Sequence, residues 1–104
     1  MNDKKIALVT GAAGVLGQAV SSGLAEEGIR VVLLDLYQDQ LDQVCSKLGL
    51  DGYPIACDIS DPGQVDEALR SVRREVGVVD ILINNAGILT TNKIASTSYW
   101  EPQR

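Results

Sequence analysis

The chain has 104 residues, of which 45% are hydrophobic and 22% charged, enough for one small domain of ordinary globular composition. Fourteen Asp and Glu against nine Lys and Arg leave a net charge of −5, which argues against nucleic acid or an anionic membrane surface as a partner. Histidine and phenylalanine are absent, which removes Ser–His and Cys–His nucleophile pairs and His-bearing zinc sites and argues against aromatic stacking platforms.

The N-terminus MNDKKIALVTG carries no apolar run long enough for a signal peptide, and no segment has the length of a membrane span. A cytoplasmic protein is expected. Without a secretory signal, Cys45 and Cys57 read as small buried hydrophobes rather than a disulfide. No internal repeat or linker interrupts the chain. Residues 1–90 are expected to form one domain, and 91–104 a polar tail that begins a loop or helix without completing it.

Ile6–Thr10 (IALVT) reads as a first strand that breaks into the glycine-rich turn of TGAAGVLG. A helix follows over about Val15–Glu27, with apolar residues at Leu16, Ala19, Val20 and Leu24 and Gly28 as its stop. Strand, glycine turn and helix make up the phosphate-cradling unit of dinucleotide-binding folds. In that unit Gly11 permits the tight turn, Gly14 lets a pyrophosphate approach the backbone, and Gly17 packs the helix closely. The helix N-terminus turns free N–H groups and a positive dipole end toward the phosphates.

Arg30–Asp35 (RVVLLD) is a continuous apolar run ending in an acid, the pattern of a strand buried on both faces. A second helix over about Gln40–Leu48 places Leu41, Val44 and Leu48 on one face, with Asp39 as its cap and Gly49 as its end. Tyr53–Asp58 (YPIACD) is a third strand, and Pro54 suits it to a sheet edge. Ser60-Asp61-Pro62 then opens a third helix with Pro at its first position. Val65, Ala68, Leu69, Val72 and Val76 form its apolar stripe, and Gly77 stops it. Val79–Asn84 (VDILIN) is the fourth strand, followed by the turn Asn85-Ala86-Gly87.

Four strands joined by three helices predict an α/β fold, a doubly wound parallel sheet in order 3-2-1-4 with helices on both faces. In that order the strand sequence reverses between the first and fourth strands, and ligands lie in the crevice outside the carboxyl ends there. The two small-residue turns, Gly11–Gly17 and Asn84–Gly87, both fall at that crevice.

Asp35 ends the second strand, where such folds place the carboxylate that accepts from the adenosine ribose hydroxyls. A carboxylate repels a 2′-phosphate, and no Arg or Lys stands in the glycine turn or at Leu36 to attract one, so NAD is favoured over NADP. Asp58 has two open roles: to reach the adenine edge, or to hydrogen-bond its own loop through Ser60. No acidic pair has metal-ligand spacing, and no metal site is expected. Asn84 and Asn85 can tie the fourth strand to its neighbour and line the crevice at once.

Thr10–Gly17 (TGAAGVLG), Asp35, Cys57–Asp61 (CDISD) and Gly77–Gly87 (GVVDILINNAG), in that order, resemble the short-chain dehydrogenase/reductase family over roughly residues 4–89. The resemblance implies a Rossmann-type NAD(P)-dependent oxidoreductase acting on alcohols and carbonyls. By position it would put Gly11, Val15 and Leu16 on the pyrophosphate, Asp35 on the adenosine ribose, and Asp58 with Ile59 at the adenine. Asn85, Ala86 and Gly87 would flank the riboses. The NNAG turn is similar to the compact branch of the family, although Val15 replaces the middle glycine of its TGxxxGxG loop. The resulting TGxxGxxG spacing is nearer the extended, epimerase-like branch.

The family's chemistry uses a serine and a Tyr-x-x-x-Lys pair. Here the fourth residues after Tyr37, Tyr53 and Tyr99 are Leu41, Cys57 and Gln103. No catalytic residue is therefore assigned. The resemblance implies the NAD-binding portion of such an enzyme, inactive by itself, with an alcohol or carbonyl substrate only in a longer protein. The competing readings are a non-catalytic nucleotide-binding or interaction module and a fragment of an epimerase-like enzyme. The fourth strand's apolar edge would invite pairing with another chain.

Overall fold

A computed structural model describes residues 4–85. The elements are β1 (Ile6–Thr10), α1 (Val15–Glu26), β2 (Arg30–Asp35), α2 (Gln38–Leu48), β3 (Tyr53–Ala56), α3 (Pro62–Glu75) and β4 (Ile81–Ile83). The strands form one sheet in the order β3-β2-β1-β4, and every neighbouring pair is parallel. Both the strand order and the doubly wound class follow the sequence expectation. All four strand ends that matter for ligand binding therefore emerge on one edge.

The apolar runs of β1 and β2 are buried because alternate residues serve two different cores. On one face Val9, Val31 and Leu33 pack with Ala12 and with Leu41 and Val44 of α2, joined by Val20 and Leu24 of α1. On the other, Leu8, Val32 and Leu34 pack with Cys57 and with Ala68 and Val72 of α3. Each fully buried Leu or Val contributes about 2 kcal/mol of transfer free energy. The edges are thinner. In β4, Leu82 is 63% exposed on the α3 side of the sheet.

Several boundaries move from their expected places, for tertiary reasons. The α1 stripe facing the sheet runs through Gly17, Val20, Ser21 and Leu24 rather than Leu16 and Ala19; Gly17 and Ser21 are the buried pair and Leu16 is 60% exposed. Small residues on that face let the helix lie close to the turn before it. On α3, Leu69 is exposed while Ala68 and Val72 are buried.

Helix α2 starts at Gln38, with Tyr37 rather than Asp39 at the N-cap position. The first turn closes where the Leu41 amide donates to the Tyr37 carbonyl (3.2 Å), and the Gln38 side chain ties that turn to β3: its Oε1 accepts from the Ala56 amide (3.1 Å) and its Nε2 donates to the Pro54 carbonyl (3.3 Å). Asp39 lies in the first turn, where its Oδ1 accepts from the Gln40 amide at 3.0 Å. Strand β3 is shorter than expected. After the Cys57 amide donates to the Asp35 carbonyl (2.7 Å), Asp58 turns away to bond Ser60. Strand β4 is also shorter, and just before it Asp80 makes a two-point bridge to β1. The Asp80 amide donates to the Ile6 carbonyl (2.8 Å), and its Oδ2 accepts from the Ile6 amide (2.9 Å).

Candidate functional site

The site is built on the first turn of the chain. Gly11 leaves β1 with φ of 64°, a left-handed conformation that side-chain-bearing residues rarely adopt. The Ala12 amide then donates to the Leu34 carbonyl at 3.1 Å, and the Gly14 amide donates back to the Gly11 carbonyl at 3.2 Å. Between them the Ala13 amide donates to Asp35 Oδ2 at 2.8 Å, and the Ala13 carbonyl accepts from Gln18 Nε2 at 2.8 Å. A Cβ at Gly17 would overlap the Gly11 carbonyl oxygen and come 2.7 Å from the Ala12 Cα, so glycine is required for α1 to approach the turn.

Gly14 is different. It caps α1 with φ −78° and ψ 171°, an extended conformation open to any residue, and among the described residues a Cβ there would meet only the Gly11 carbonyl, at 3.6 Å. The fold leaves room for a side chain at this position. Among the described residues no side chain caps the α1 N-terminus, and its first turn has no acid. Helix α3 is the contrast: Asp61 Oδ1 accepts from the Gly63 amide at 3.0 Å, so α3 brings its own anion. The leading residues of α1 stand at the surface, with Val15 88% exposed.

Asp35 ends β2 beside this turn. Its Oδ1 accepts from the Leu36 amide at 2.7 Å while its Oδ2 holds Ala13. On the other side, Thr10 stitches β1 to the end of β4. Its hydroxyl donates to Asn84 Oδ1 (3.2 Å) and accepts from the Asn85 amide (2.9 Å). Asn85 Nδ2 donates to the Gly11 carbonyl at 3.2 Å. The glycine turn, Asp35 and the two asparagines thus form one bonded group at the carboxyl edge.

Asp58 and Ile59 occupy the next turn on the same edge, after β3. Asp58 Oδ1 accepts from the Ser60 hydroxyl (2.7 Å) and amide (3.0 Å), and those bonds hold its carboxyl below the usual aspartate range. These bonds make the Ser60 turn, one of the two roles open to Asp58. Ile59 is exposed at 44%. Ala86 and Gly87 lie outside the described residues.

Cys45 and Cys57 are free thiols. Burial pushes both upward in pKa, reinforced at Cys45 by Asp42 and at Cys57 by Asp58 and Asp61. Both shifts favour the thiol over the nucleophilic thiolate. Among the described residues no group of His, Cys, Asp and Glu could hold a metal ion. No helix among them is long and apolar enough to cross a membrane. A cavity of about 470 Å³ lined by Lys4, Ile29, Arg30 and Asp51 lies at the amino ends of the strands, remote from these turns.

The model of the short chain dehydrogenase family matches residues 5–102. The chain belongs to that family. It is 38% identical over 88 residues to the 3-oxoacyl-[acyl-carrier-protein] reductase FabG of Escherichia coli K12, covering 85% of this chain and 36% of that protein. Among solved structures, NAD+-bound xylitol dehydrogenase matches with a TM-score of 0.74 and 37% identity, over 80% of this chain and 33% of the other. Actinorhodin polyketide ketoreductase with NADPH matches with a TM-score of 0.77 and 31% identity, over 82% and 34%. The chain spans a little over a third of the length of the curated relatives it matches, among them FabG. Its Rossmann-like sheet is that of a nicotinamide-cofactor-binding oxidoreductase family.

The bond from Asp35 to Ala13 escaped the reading of the sequence, as did the amide of Gln38 on β3. Both link residues far apart along the chain, and neither carries a local motif.

Proposed function

We propose that this chain is the NAD-binding portion of a short-chain dehydrogenase/reductase that moves a hydride between NAD and an alcohol or carbonyl substrate. The observation that carries the reading is Gly14. The fold has space for a side chain there, so its glycine serves what approaches from outside, at a helix N-terminus that brings no anion of its own. The amides of Val15 and Leu16 are the donors for the pyrophosphate, with Gly11 shaping the turn and Gly17 bringing the helix in. Asp35 accepts from the adenosine ribose hydroxyls through lone pairs left over from its two backbone bonds.

Asp58 and Ile59 border the adenine, and Asn85, Ala86 and Gly87 flank the riboses. NAD is preferred to NADP because the Asp35 carboxylate repels a 2′-phosphate and Leu36 offers it no cation. Bound NAD supplies the hydride-accepting ring. The chain's own residues bind and orient the adenosine diphosphate, and they include no Tyr-x-x-x-Lys to move the substrate's proton. The β4 edge, which pairs with no further strand among the described residues and leaves Leu82 exposed, is where further strands or a second chain would pair.

Calorimetric titration of the 104-residue chain with NAD and NADP tests the reading, alongside a hydride-transfer assay. Weak NAD binding, weaker NADP binding and no turnover are expected. A preference for NADP overturns the role of Asp35, and turnover overturns the division between cofactor binding and catalysis.

A further inference from the structure

We propose that Asp35 is a positioning residue for the phosphate-binding turn, acting on the pyrophosphate end through Ala13 as well as on the ribose. The inference rests on the nucleotide-binding reading above and concerns how that site is held in shape.

The main-chain bonds that tie the turn to β2 end with the Ala12 amide on the Leu34 carbonyl. The next amide, Ala13, bonds the Asp35 side chain instead, at 2.8 Å. The carboxylate therefore extends the β1–β2 pairing one residue into the turn. Its other oxygen is fixed by the Leu36 amide at 2.7 Å, so the group is anchored in its own strand before it reaches across. Both are charge-assisted bonds, shorter and stronger than neutral ones.

Ala13 is then held from both ends, because its carbonyl accepts from Gln18 Nε2 at 2.8 Å. It lies between the left-handed Gly11 and the helix cap Gly14. Fixing the two peptide groups of Ala13 fixes the direction in which α1 starts, and with it the aim of the Val15 and Leu16 amides. A carboxylate oxygen can accept more than one hydrogen bond, so bracing Ala13 leaves acceptor capacity for ribose hydroxyls.

The test compares ADP with 2′,3′-dideoxy-ADP, which keeps the phosphates and lacks both ribose hydroxyls. If Asp35 served the ribose alone, its loss would leave the dideoxy nucleotide untouched. Instead Asp35→Ser is expected to weaken 2′,3′-dideoxy-ADP by about tenfold, the scale of one lost hydrogen bond. ADP should fall further. Asp35→Asn, whose one amide oxygen can still take the Ala13 amide, is expected to restore part of the dideoxy affinity. Gln18→Ala, which opens the other end of the clamp without approaching the ribose, should weaken both nucleotides by the same factor. Amide hydrogen exchange supplies a ligand-free readout: Ala13 should exchange faster in Asp35→Ser while the Leu33 amide, deep in β2, keeps its protection.

Dideoxy affinity within twofold of the unsubstituted chain in Asp35→Ser, with ADP alone weakened, overturns the brace and leaves the nucleotide site standing. Unchanged Ala13 exchange in that variant overturns it too. Failure of the unsubstituted chain to bind either nucleotide overturns the nucleotide reading itself, and this proposal with it.

Discussion

Gly17 sits so close to Ala12 that a Cβ on it would come 2.7 Å from the Ala12 Cα and would overlap the Gly11 carbonyl oxygen. The neighbours are backbone and cannot swing aside. Gly17→Ala is therefore expected to cost about 3 kcal/mol or more, as overpacking at a rigid contact does. Gly14→Ala should cost about 1 kcal/mol or less, because its Cβ finds ordinary van der Waals distance and its backbone is extended. Urea unfolding of the two variants separates them. Equal losses would mean that Gly14 is also needed by the fold, which removes the main support for a ligand at the α1 N-terminus.

Thr10 holds the crevice closed at its base. Its side chain bonds both Asn84 and the Asn85 amide, and the residue is only 7% exposed. Thr10→Val keeps the shape and removes the hydroxyl, leaving the Asn85 amide without that acceptor. The expected loss is about 2 kcal/mol, in the range for stranding a part-buried donor. Thr10→Ser, which keeps the oxygen, should lose less. A valine variant as stable as the parent in urea would show that the stitch contributes nothing.

The sequence announces the sheet because its signals are local. An apolar run such as RVVLLD has only one comfortable place, between two helical layers, and the glycine turn after IALVT marks where the first crossover starts. What it hides are pairings made by the fold itself. Asp39 is a good cap by residue type, yet α2 starts earlier, at Gln38, whose side chain reaches Pro54 and Ala56, sixteen and eighteen residues on. The acid at Asp35 is visible in its place at a strand end, but its bond to Ala13 spans twenty-two residues and has no motif. The α1 face was legible as amphipathic and not in its phase: Leu16 attracts the eye, while close approach to the turn selects Gly17 and Ser21.

Gln38 also guards the sheet. Its amide occupies the outward-facing Ala56 N–H and Pro54 carbonyl, and Pro54 itself has no N–H to offer. The β3 edge is thereby closed to a further strand. Gln38→Ala is expected to destabilise the chain by about 1 kcal/mol, a net hydrogen-bond contribution at an exposed site. It should also raise the rate of aggregation measured by light scattering. A variant that scatters no faster than the parent would show that proline alone protects this edge.

The Asp58–Ser60 turn carries a pH signature. The Ser60 hydroxyl, and then its amide, favour the ionised carboxylate and lower its pKa. A depressed folded-state pKa contributes stability above the unfolded value of about 3.9, and that contribution is lost as pH falls through the lower folded value. Carboxyl carbon chemical shifts followed through acid titration should place the Asp58 midpoint below that of an unpaired aspartate. Ser60→Ala removes the larger cause and should return it upward. An unmoved midpoint in the variant would show that the hydroxyl bond does not form.

Ser21 offers the reverse experiment, a substitution that adds stability. It is fully buried on the sheet-facing side of α1, and its hydroxyl has no hydrogen-bond partner among the described residues. A buried polar group without a partner costs its desolvation free energy, and serine is also a weaker helix former than alanine. Ser21→Ala should therefore raise stability by about 1 kcal/mol in urea unfolding. The neighbouring Ser22 is only half-buried, so Ser22→Ala should show the helix-propensity part alone, about 0.5 kcal/mol. The difference between the two variants isolates the cost of the stranded hydroxyl. A loss of stability in Ser21→Ala would show that the hydroxyl is not stranded and that its packing contributes to the fold.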